Sequence, residues 1–470
     1  SHRRFLCKGA IDMIHSFKLN GYNVVLDTAS GSVHSVDDVA YDIIGMYQGA
    51  SKDEIVKEIT SKYDVTEQDV LDCIDDIEEL KKEGKLFSED TFKPDVDILA
   101  KRNTVLKAMC LHVAHTCNLN CEYCFASQGK YHGERALMSF EVGKRALDFL
   151  VENSGTRHNL EVDFFGGEPL MNWQVVKDLV AYARSIEKEH NKNFRFTLTT
   201  NGMLVDDDVI EFANKEMDNV VLSLDGRKEI NDHFRKTAGG VGSFDIIVPK
   251  FQKFVKARGG KNYYMRGTFT HRNPDFTNDI QTMLDLGFDE LSMEPVVCPP
   301  TDKYALDEND KKVIFGEYEK LADMMIKRRK EGKPFTFYHY MLNLEGGPCI
   351  YKRISGCGSG TEYLAVTPTG ELYPCHQFVG NKEYLMGDIW KGVTNTAMRD
   401  KFKSCNAYSR KECDDCWARL YCSGGCAANA YNATGDINGV YKYGCDLFKK
   451  RIECAIMLKV DEQTGENIED

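Results

Sequence analysis

Apolar and polar residues alternate through "SFKLNGYNVVLDTASGSVHSV" (16–36), and the alternation breaks at Asn20-Gly21 and Ser30-Gly31. That pattern predicts two or three short antiparallel strands joined by tight turns. Residues 35–49 and 51–63 then read as helices, the second opened by Ser51 with Glu54 three residues on, a capping box. A longer amphipathic helix follows in "TEQDVLDCIDDIEELKKEG" (66–84), with Val70, Ile74, Ile77 and Leu80 on one stripe and Gly84 as its stop. "KLFSED" (85–90) is expected to add a last short strand. Residues 1–90 thus read as a small separate unit, and 91–104 as a linker.

From 105 to about 305 the pattern is a regular alternation of strands and helices. The strand candidates are "KAMCLHVAH", "LEVDFFGG", "FRFTLTTNG", "NVVLSLDG", "YYMRGTFT" and "DELSMEPV", with helical stretches such as 139–153 and 173–190 between them. Six β-α repeats imply a parallel sheet, either an open doubly wound one or a partial barrel. In both, functional loops gather at the carboxyl ends of the strands. A cysteine triplet, "GGEP", "TTNG" and "SLDG" all fall there. Residues 306–348 form a helical bridge. Residues 349–455 are rich in Gly and Cys, with one clear hairpin, "EYLAVTPTGELYPC", turning at Thr369-Gly370. A last helix runs through "DLFKKRIECAIMLK", and 456–470 is a tail expected to fray from 461 onward.

The 470 residues carry 42% hydrophobic and 28% charged positions, the balance of a globular protein. A net charge of −13 argues against nucleic acid as the main partner. No run of about 18 apolar residues predicts a membrane span, and the N-terminus lacks a signal-peptide layout, so a cytoplasmic protein is expected. The seventeen cysteines change the picture. Only Cys7 and Cys73 precede residue 110, three crowd into 117–124, and ten lie between 349 and 454. Metal or redox-cluster ligation explains this crowding better than a secreted disulfide scaffold does.

"CNLNCEYC" (117–124) spaces Cys117, Cys121 and Cys124 as C-x3-C-x2-C. Half of a zinc site is one reading, with His112 or His115 as a fourth ligand. The position at the end of the first strand of a β-α array points instead to an active site. With Tyr123 before the third cysteine, the motif resembles the signature of radical S-adenosylmethionine (SAM) enzymes. The resemblance implies a partial (β/α)6 TIM-like barrel and a [4Fe–4S] cluster held by these three thiolates, whose open iron chelates SAM. It also implies that Gly166, Gly167 and Glu168 of "GGEP" receive the methionine amino group. Ser223 and Asp225 of "SLDG" would meet the ribose or carboxylate region, Arg235 would bind the carboxylate, and Tyr123, Phe125 and Asn201 would complete the cofactor contacts. Reductive cleavage of SAM in that family gives a 5′-deoxyadenosyl radical and demands anaerobic conditions.

The C-terminal cysteines run C-x12-G-x4-C (Cys357, Gly370, Cys375), then C-x2-C-x5-C-x3-C (Cys413, Cys416, Cys422, Cys426), then Cys445. One or two zinc knuckles would suit part of this string. The whole resembles the SPASM extension of peptide-modifying radical enzymes, which implies two auxiliary [4Fe–4S] clusters. By that likeness Cys413, Cys416, Cys422 and Cys445 hold the distal one, and Cys357, Cys375 and Cys426 the barrel-side one. Cys349, or a substrate cysteine, would complete the latter. Where related sulfatase-maturating enzymes place a carboxylate after the hairpin cysteine, this chain has His376.

The N-terminal unit is winged-helix-like, and its acidic stretch over 64–90 argues against DNA. It resembles the peptide-recognition domain of peptide-modifying systems, which adds a leader segment to a sheet edge. Taken together the chain resembles the thioether-forming maturases of six-cysteine precursors (sactipeptide and ranthipeptide enzymes). That likeness implies a ribosomal precursor peptide as partner and flavodoxin or ferredoxin as electron donor. Other peptide oxidations or carbon–carbon cross-links, and a zinc-stabilised binding protein without turnover, are the alternatives.

Overall fold

The computed structural model describes residues 14–93, 103–345 and 349–465. Its centre is six parallel strands: Ala108–His115, Asn159–Gly166, Asn193–Thr200, Met217–Ser223, Tyr263–Phe269 and Glu290–Pro295. They are the six that the pattern predicts, they lie side by side in chain order, and helices follow each of them. Along the second to fifth strands burial alternates. Leu160, Val162, Phe164, Phe196, Leu198, Val220, Leu222 and Met265 are buried in the main core, on the face that carries the helices. The alternate residues, among them Phe165, Thr199, Ser223 and Arg266, occupy the opposite face. The first strand is buried at all eight positions, because it is paired on both sides and covered at its end.

The sheet does not stop at six. Thr336–Phe337 pairs in parallel beyond the sixth strand, and Tyr363–Val366 pairs in parallel with the first, Ala365 opposite Cys110. Tyr363–Val366 is also the first strand of the predicted hairpin, which returns as Glu371–Tyr373. Gly370 makes the turn at φ +84°, and a Cβ there would lie 2.4 Å from the Trp390 ring. The Cys-rich extension therefore grows out of the barrel sheet itself.

The N-terminal unit has strands β1 (Ile14–Leu19), β2 (Tyr22–Asp27) and β3 (Val33–Val36), then helices α1 (Asp38–Met46), α2 (Lys52–Lys62) and α3 (Glu67–Lys82). Ser51 and Glu54 cap α2 reciprocally, as expected, and Thr66 with Asp69 does the same for α3. Three expectations are corrected. Residues 85–90 form no strand: Phe87 turns at φ +53° so that Leu86 and Phe87 both plug the unit's core, and Ser88 is held by Asp27. Nor is the unit separate. Val25 faces its own helices, whereas Val24, Leu26 and Phe17 belong to the main core with Leu447 and Met457 of the last helix. Thirdly, that helix spans Lys442–Gly465 and does not fray at 461. Ile456, Met457, Leu458 and Val460 are buried, and Asp461 accepts from the Tyr22 hydroxyl at 2.9 Å. Most of the linker 91–104 and the last five residues lie outside the described residues. Among the described residues, no helix is long and apolar enough to cross a membrane.

Candidate active site and cysteine centres

The loop after the first strand is fastened on two sides. The Asn120 amide donates to Lys236 O at 2.6 Å, and the Gln128 side chain donates to Cys121 O at 3.2 Å. From the third strand's end, Asn201 reaches Asn118 Oδ1 at 2.8 Å and Cys117 Sγ at 3.5 Å. Burial pushes the Cys117 thiol up to about 11 and that of Cys121 to about 12, and the neighbouring thiols of the triplet add to both shifts. A bound cation would offset that cost for Cys117 and Cys121.

Zinc fits this triplet poorly. His112 and His115, the proposed fourth ligands, bond to each other at 3.1 Å and stack on Tyr131. Three thiolates on one zinc would sit about 3.8 Å apart, given zinc–sulfur bonds of about 2.3 Å. Among the described residues, the group of three ligand atoms that all approach within 4.8 Å of one another is His271, Asp307 and Asp310. Among the described residues no three cysteine sulfurs draw that close, and the more open thiol sets suit a multi-iron cluster.

The second strand ends in Gly166-Gly167-Glu168, and its glycines are sterically required. A Cβ on Gly166 would lie 2.3 Å from Ala114 O, and one on Gly167 2.1 Å from Thr116 O. Glu168 points inward, 1% exposed, and accepts from the Thr200 hydroxyl and the Asn201 amide at 2.8 Å each and from the Leu170 amide at 3.1 Å. Its carboxylate thus ties the second strand's loop to the third's, and burial raises its pKa to about 7.

Asp225 and Arg235 are brought together. The guanidinium donates to Asp225 from Nε at 2.9 Å and from Nη2 at 3.0 Å. Asp225 also accepts from the Tyr123 hydroxyl at 2.5 Å and the Thr268 amide at 3.0 Å. The carboxylate is filled by protein donors, while Arg235 keeps three N–H groups. The geometry makes Asp225 the holder of Arg235 and Tyr123. Ser223 is half-buried on the strand before it, and Phe125 is 39% exposed, its ring 5.8 Å from that of His376.

On the sheet face opposite the helices, Glu294 meets His339 at 3.1 Å and Arg266 at 4.0 Å. Burial alone would raise the Glu294 carboxyl, but His339, Arg266 and Arg451 outweigh it and hold it at about 2. His376, from the hairpin, stacks on Phe165 at 5.2 Å, and burial, with Arg266 nearby, lowers it to about 4.

In the extension, Cys422 lies within electrostatic reach of Cys413, Cys416 and Cys445, so the four distal thiols converge. Cys375 is likewise within reach of Cys357 and Cys426. Cys349 is exposed at the start of the helix Ile350–Ser355. Sequence reasoning passed over Cys405, which lies within reach of Cys357 and accepts from Arg410 Nη2 at 3.0 Å. It also missed Tyr131, whose hydroxyl donates to Gly166 O at 3.0 Å. Neither residue belongs to a spaced motif. Cys124, Cys375 and Cys405 all pack against one apolar cluster containing Cys110, Ala126, Tyr131 and Phe378. The radical loop and the barrel-side set therefore share a wall.

The profile of the Radical SAM superfamily matches residues 111–274, and that of Coenzyme PQQ synthesis protein D (PqqD) matches residues 22–84. Residues 111–274 are thus a radical SAM domain and residues 22–84 a PqqD domain, and SAM and a [4Fe–4S] cluster are the radical SAM family's cofactors. It is 23% identical over 374 residues to the radical SAM cyclopropyl synthase TigE of Paramaledivibacter caminithermalis, covering 73% of this chain and 72% of TigE. It is 25% identical over 365 residues to the cysteine-type anaerobic sulfatase-maturating enzyme of Clostridium novyi, covering 72% and 91%. Among solved structures, anSMEcpe with bound AdoMet and Kp18Cys peptide superposes with a TM-score of 0.62 at 21% identity, covering 77% of this chain and 99% of that one. Streptococcus suis SuiB bound to precursor peptide SuiA gives 0.51 at 14% identity, covering 89% and 95%.

Proposed function

We propose that this radical SAM enzyme acts on a ribosomally made, cysteine-rich precursor peptide and closes a thioether between a cysteine sulfur and a carbon of an acceptor residue. The observation that carries this reading is the barrel-side set. Cys375 lies within reach of Cys357 and Cys426 and packs against the apolar wall that also holds Cys124, and by likeness to the SPASM extension these three would bind a cluster and leave one iron open. A soft centre with an open position there would take a peptide thiolate.

The matched PqqD domain supports a peptide leader as the docking partner. β3 pairs only with β2 among the described residues, which leaves an edge for strand addition. The core peptide would then reach the face lined by Phe165, Arg266, Glu294 and His376. Cys117, Cys121 and Cys124 would hold the [4Fe–4S] cluster. Arg235, fixed by Asp225, would take the carboxylate of SAM, and the Gly166–Glu168 loop its amino end. The bound pair supplies a 5′-deoxyadenosyl radical. Ring closure would pass one hydrogen atom from the acceptor carbon to that radical, giving 5′-deoxyadenosine, and would release the thiol's proton to solvent and one electron through the auxiliary clusters. Cys413, Cys416, Cys422 and Cys445 would hold a further [4Fe–4S] cluster, and flavodoxin or ferredoxin would supply the reducing electron.

The likeness to a sulfatase-maturating enzyme and to TigE favours a second reading, a peptide oxidation or carbon–carbon ring closure that forms no thioether. The test is to incubate anaerobically reconstituted protein, carrying about twelve irons per chain, with SAM, reductant and a cysteine-rich peptide encoded beside it. A thioether enzyme produces 5′-deoxyadenosine and a product lighter by two hydrogens with one fewer alkylatable thiol. Loss of two hydrogens with every thiol intact would favour the second reading.

A further inference from the structure

The turn between Cys413 and Cys416 is clamped by a residue from outside it. Arg419, 7% exposed, donates from Nη1 to Cys413 O at 3.4 Å and to Asp414 O. Its Nη2 donates to Asp90 Oδ2 at 2.5 Å, and Asp90 also accepts from the Tyr408 hydroxyl at 2.8 Å. The Arg419 guanidinium lies 4.7 Å over the Tyr408 ring, so the three side chains close on one another. Asp90 ends the N-terminal unit, more than 300 residues before its partners. The unit and the residues just after it touch the turn at two more points. Trp417, next after Cys416, stacks on His15 of β1 with centroids 3.8 Å apart and planes 3° from parallel, and Lys93, three residues past the unit's end, meets Asp414 at 3.3 Å.

The other side of the same centre is held in the same way. Cys445 rides on the helix Lys442–Gly465, which shares its core with Phe17, Val24 and Leu26. His15 also meets Glu453 of that helix at 2.9 Å. The N-terminal unit thus grips both elements that bring the four distal thiols together.

The geometry points to a second role for the N-terminal unit: it is a structural half of the Cys413, Cys416, Cys422 and Cys445 centre. Asp90, acting through Arg419, is a positioning residue for its ligand turn. A carboxylate that orients a guanidinium, which in turn holds ligand carbonyls, sets both the geometry of the thiolates and the local charge. The inference rests on the reading that these four cysteines hold an iron–sulfur cluster, and the arms below separate the two.

The full chain is reconstituted anaerobically as wild type, Asp90→Asn, Asp90→Glu, His15→Leu and a Cys413→Ala/Cys416→Ala double variant. Each is assayed for iron and sulfide, and for electron paramagnetic resonance (EPR) during a redox titration. The double variant identifies the distal signal; an unchanged iron content there would remove the cluster reading itself. With that reading intact, Asp90→Asn is expected to lose the distal signal or to change its oxidised-to-reduced ratio about tenfold at fixed potential, about 59 mV for one electron. Signals from the other centres stay in place, and Asp90→Glu recovers the distal one. Should Asp90→Asn fail to fold, His15→Leu carries the same readout from the stacking contact. Wild-type distal spectra and potential in folded variants would overturn the proposal.

Discussion

The two cysteine regions are built in opposite ways. The radical loop is presented by a scaffold that stands without it. The strand behind it is buried at every position, and its neighbours bring Phe164, Phe196, Leu198 and Val220 to full burial. The extension has little of this. Between Cys405 and Cys445 the regular elements are short, and buried arginines do the work that backbone ladders do elsewhere. Arg410, 2% exposed, donates to Asn406 O, Ile437 O and Gly439 O; Arg419 donates to Cys413 O and Asp414 O. No ladder closes that segment, and its apolar share is small, chiefly Ala428 and Ile437 in the cluster beside the hairpin, while Cys413, Cys416, Cys422 and Cys445 converge. The barrel should therefore keep its fold without iron, and the extension should not.

The largest expected effect follows from removing the metal. Stripping iron under anaerobic conditions with a chelator should open residues 405–445 to hydrogen exchange and proteolysis, while strands 108–115 and 193–200 keep their protection. Simultaneous loss of protection in both regions would abolish the distinction.

Arg410→Met should come next. The change takes a charged donor from three carbonyls, of which Asn406 O keeps Ser409 and Ile437 O keeps the Cys405 thiol, and it removes the cation beside Cys405, a loss of about 3–5 kcal/mol by analogy with broken buried charge networks. The loss should appear in the transition of the extension alone, followed by cluster absorbance on heating. A matching shift in the barrel transition would mean that the two regions unfold as one.

The same contrast decides what the sequence could reveal. All six barrel strands are legible, because each carries a short apolar run bounded by turns and followed by a helix, and local period suffices for that. Both ends of helix α2 and the Thr369-Gly370 turn are legible for the same local reason. What failed was long-range. Nothing near Asp461 says that Tyr22 will hold it, nor does anything near Asp90 announce Arg419. The N-terminal unit looked separate because Val24 and Val25 are both apolar, and only the pleat sends them to different cores. The roles within the site were partly legible: the spacing of the cysteines and the glycines of "GGEP" mark it. That Asp225 is consumed in holding Arg235 requires the fifth strand's Thr268 amide to be in place.

The smallest effect concerns protons, and it should belong to the barrel. Glu168 has an ordinary pKa near 4.5 and is raised to about 7 by burial. The folded state therefore holds a proton that the unfolded state has lost between those values. Stability from this group is fully present below about pH 4.5 and is lost as pH rises through about 7, by at most about 3 kcal/mol. Above that the profile flattens and Glu168 is ionised, accepting from Thr200, Asn201 and Leu170. Glu168→Gln should erase the slope. It should also lower stability by about 1–3 kcal/mol at pH 5, because its amide group is turned against three donors, a deficit that closes toward pH 8 as the wild type loses its own contribution. Denaturant midpoints at pH 5, 6, 7 and 8, read from the barrel's tryptophan signal at Trp173, measure both effects. A slope that survives in the variant would assign the titration to another group, and one that moves with the cluster absorbance would place it in the extension.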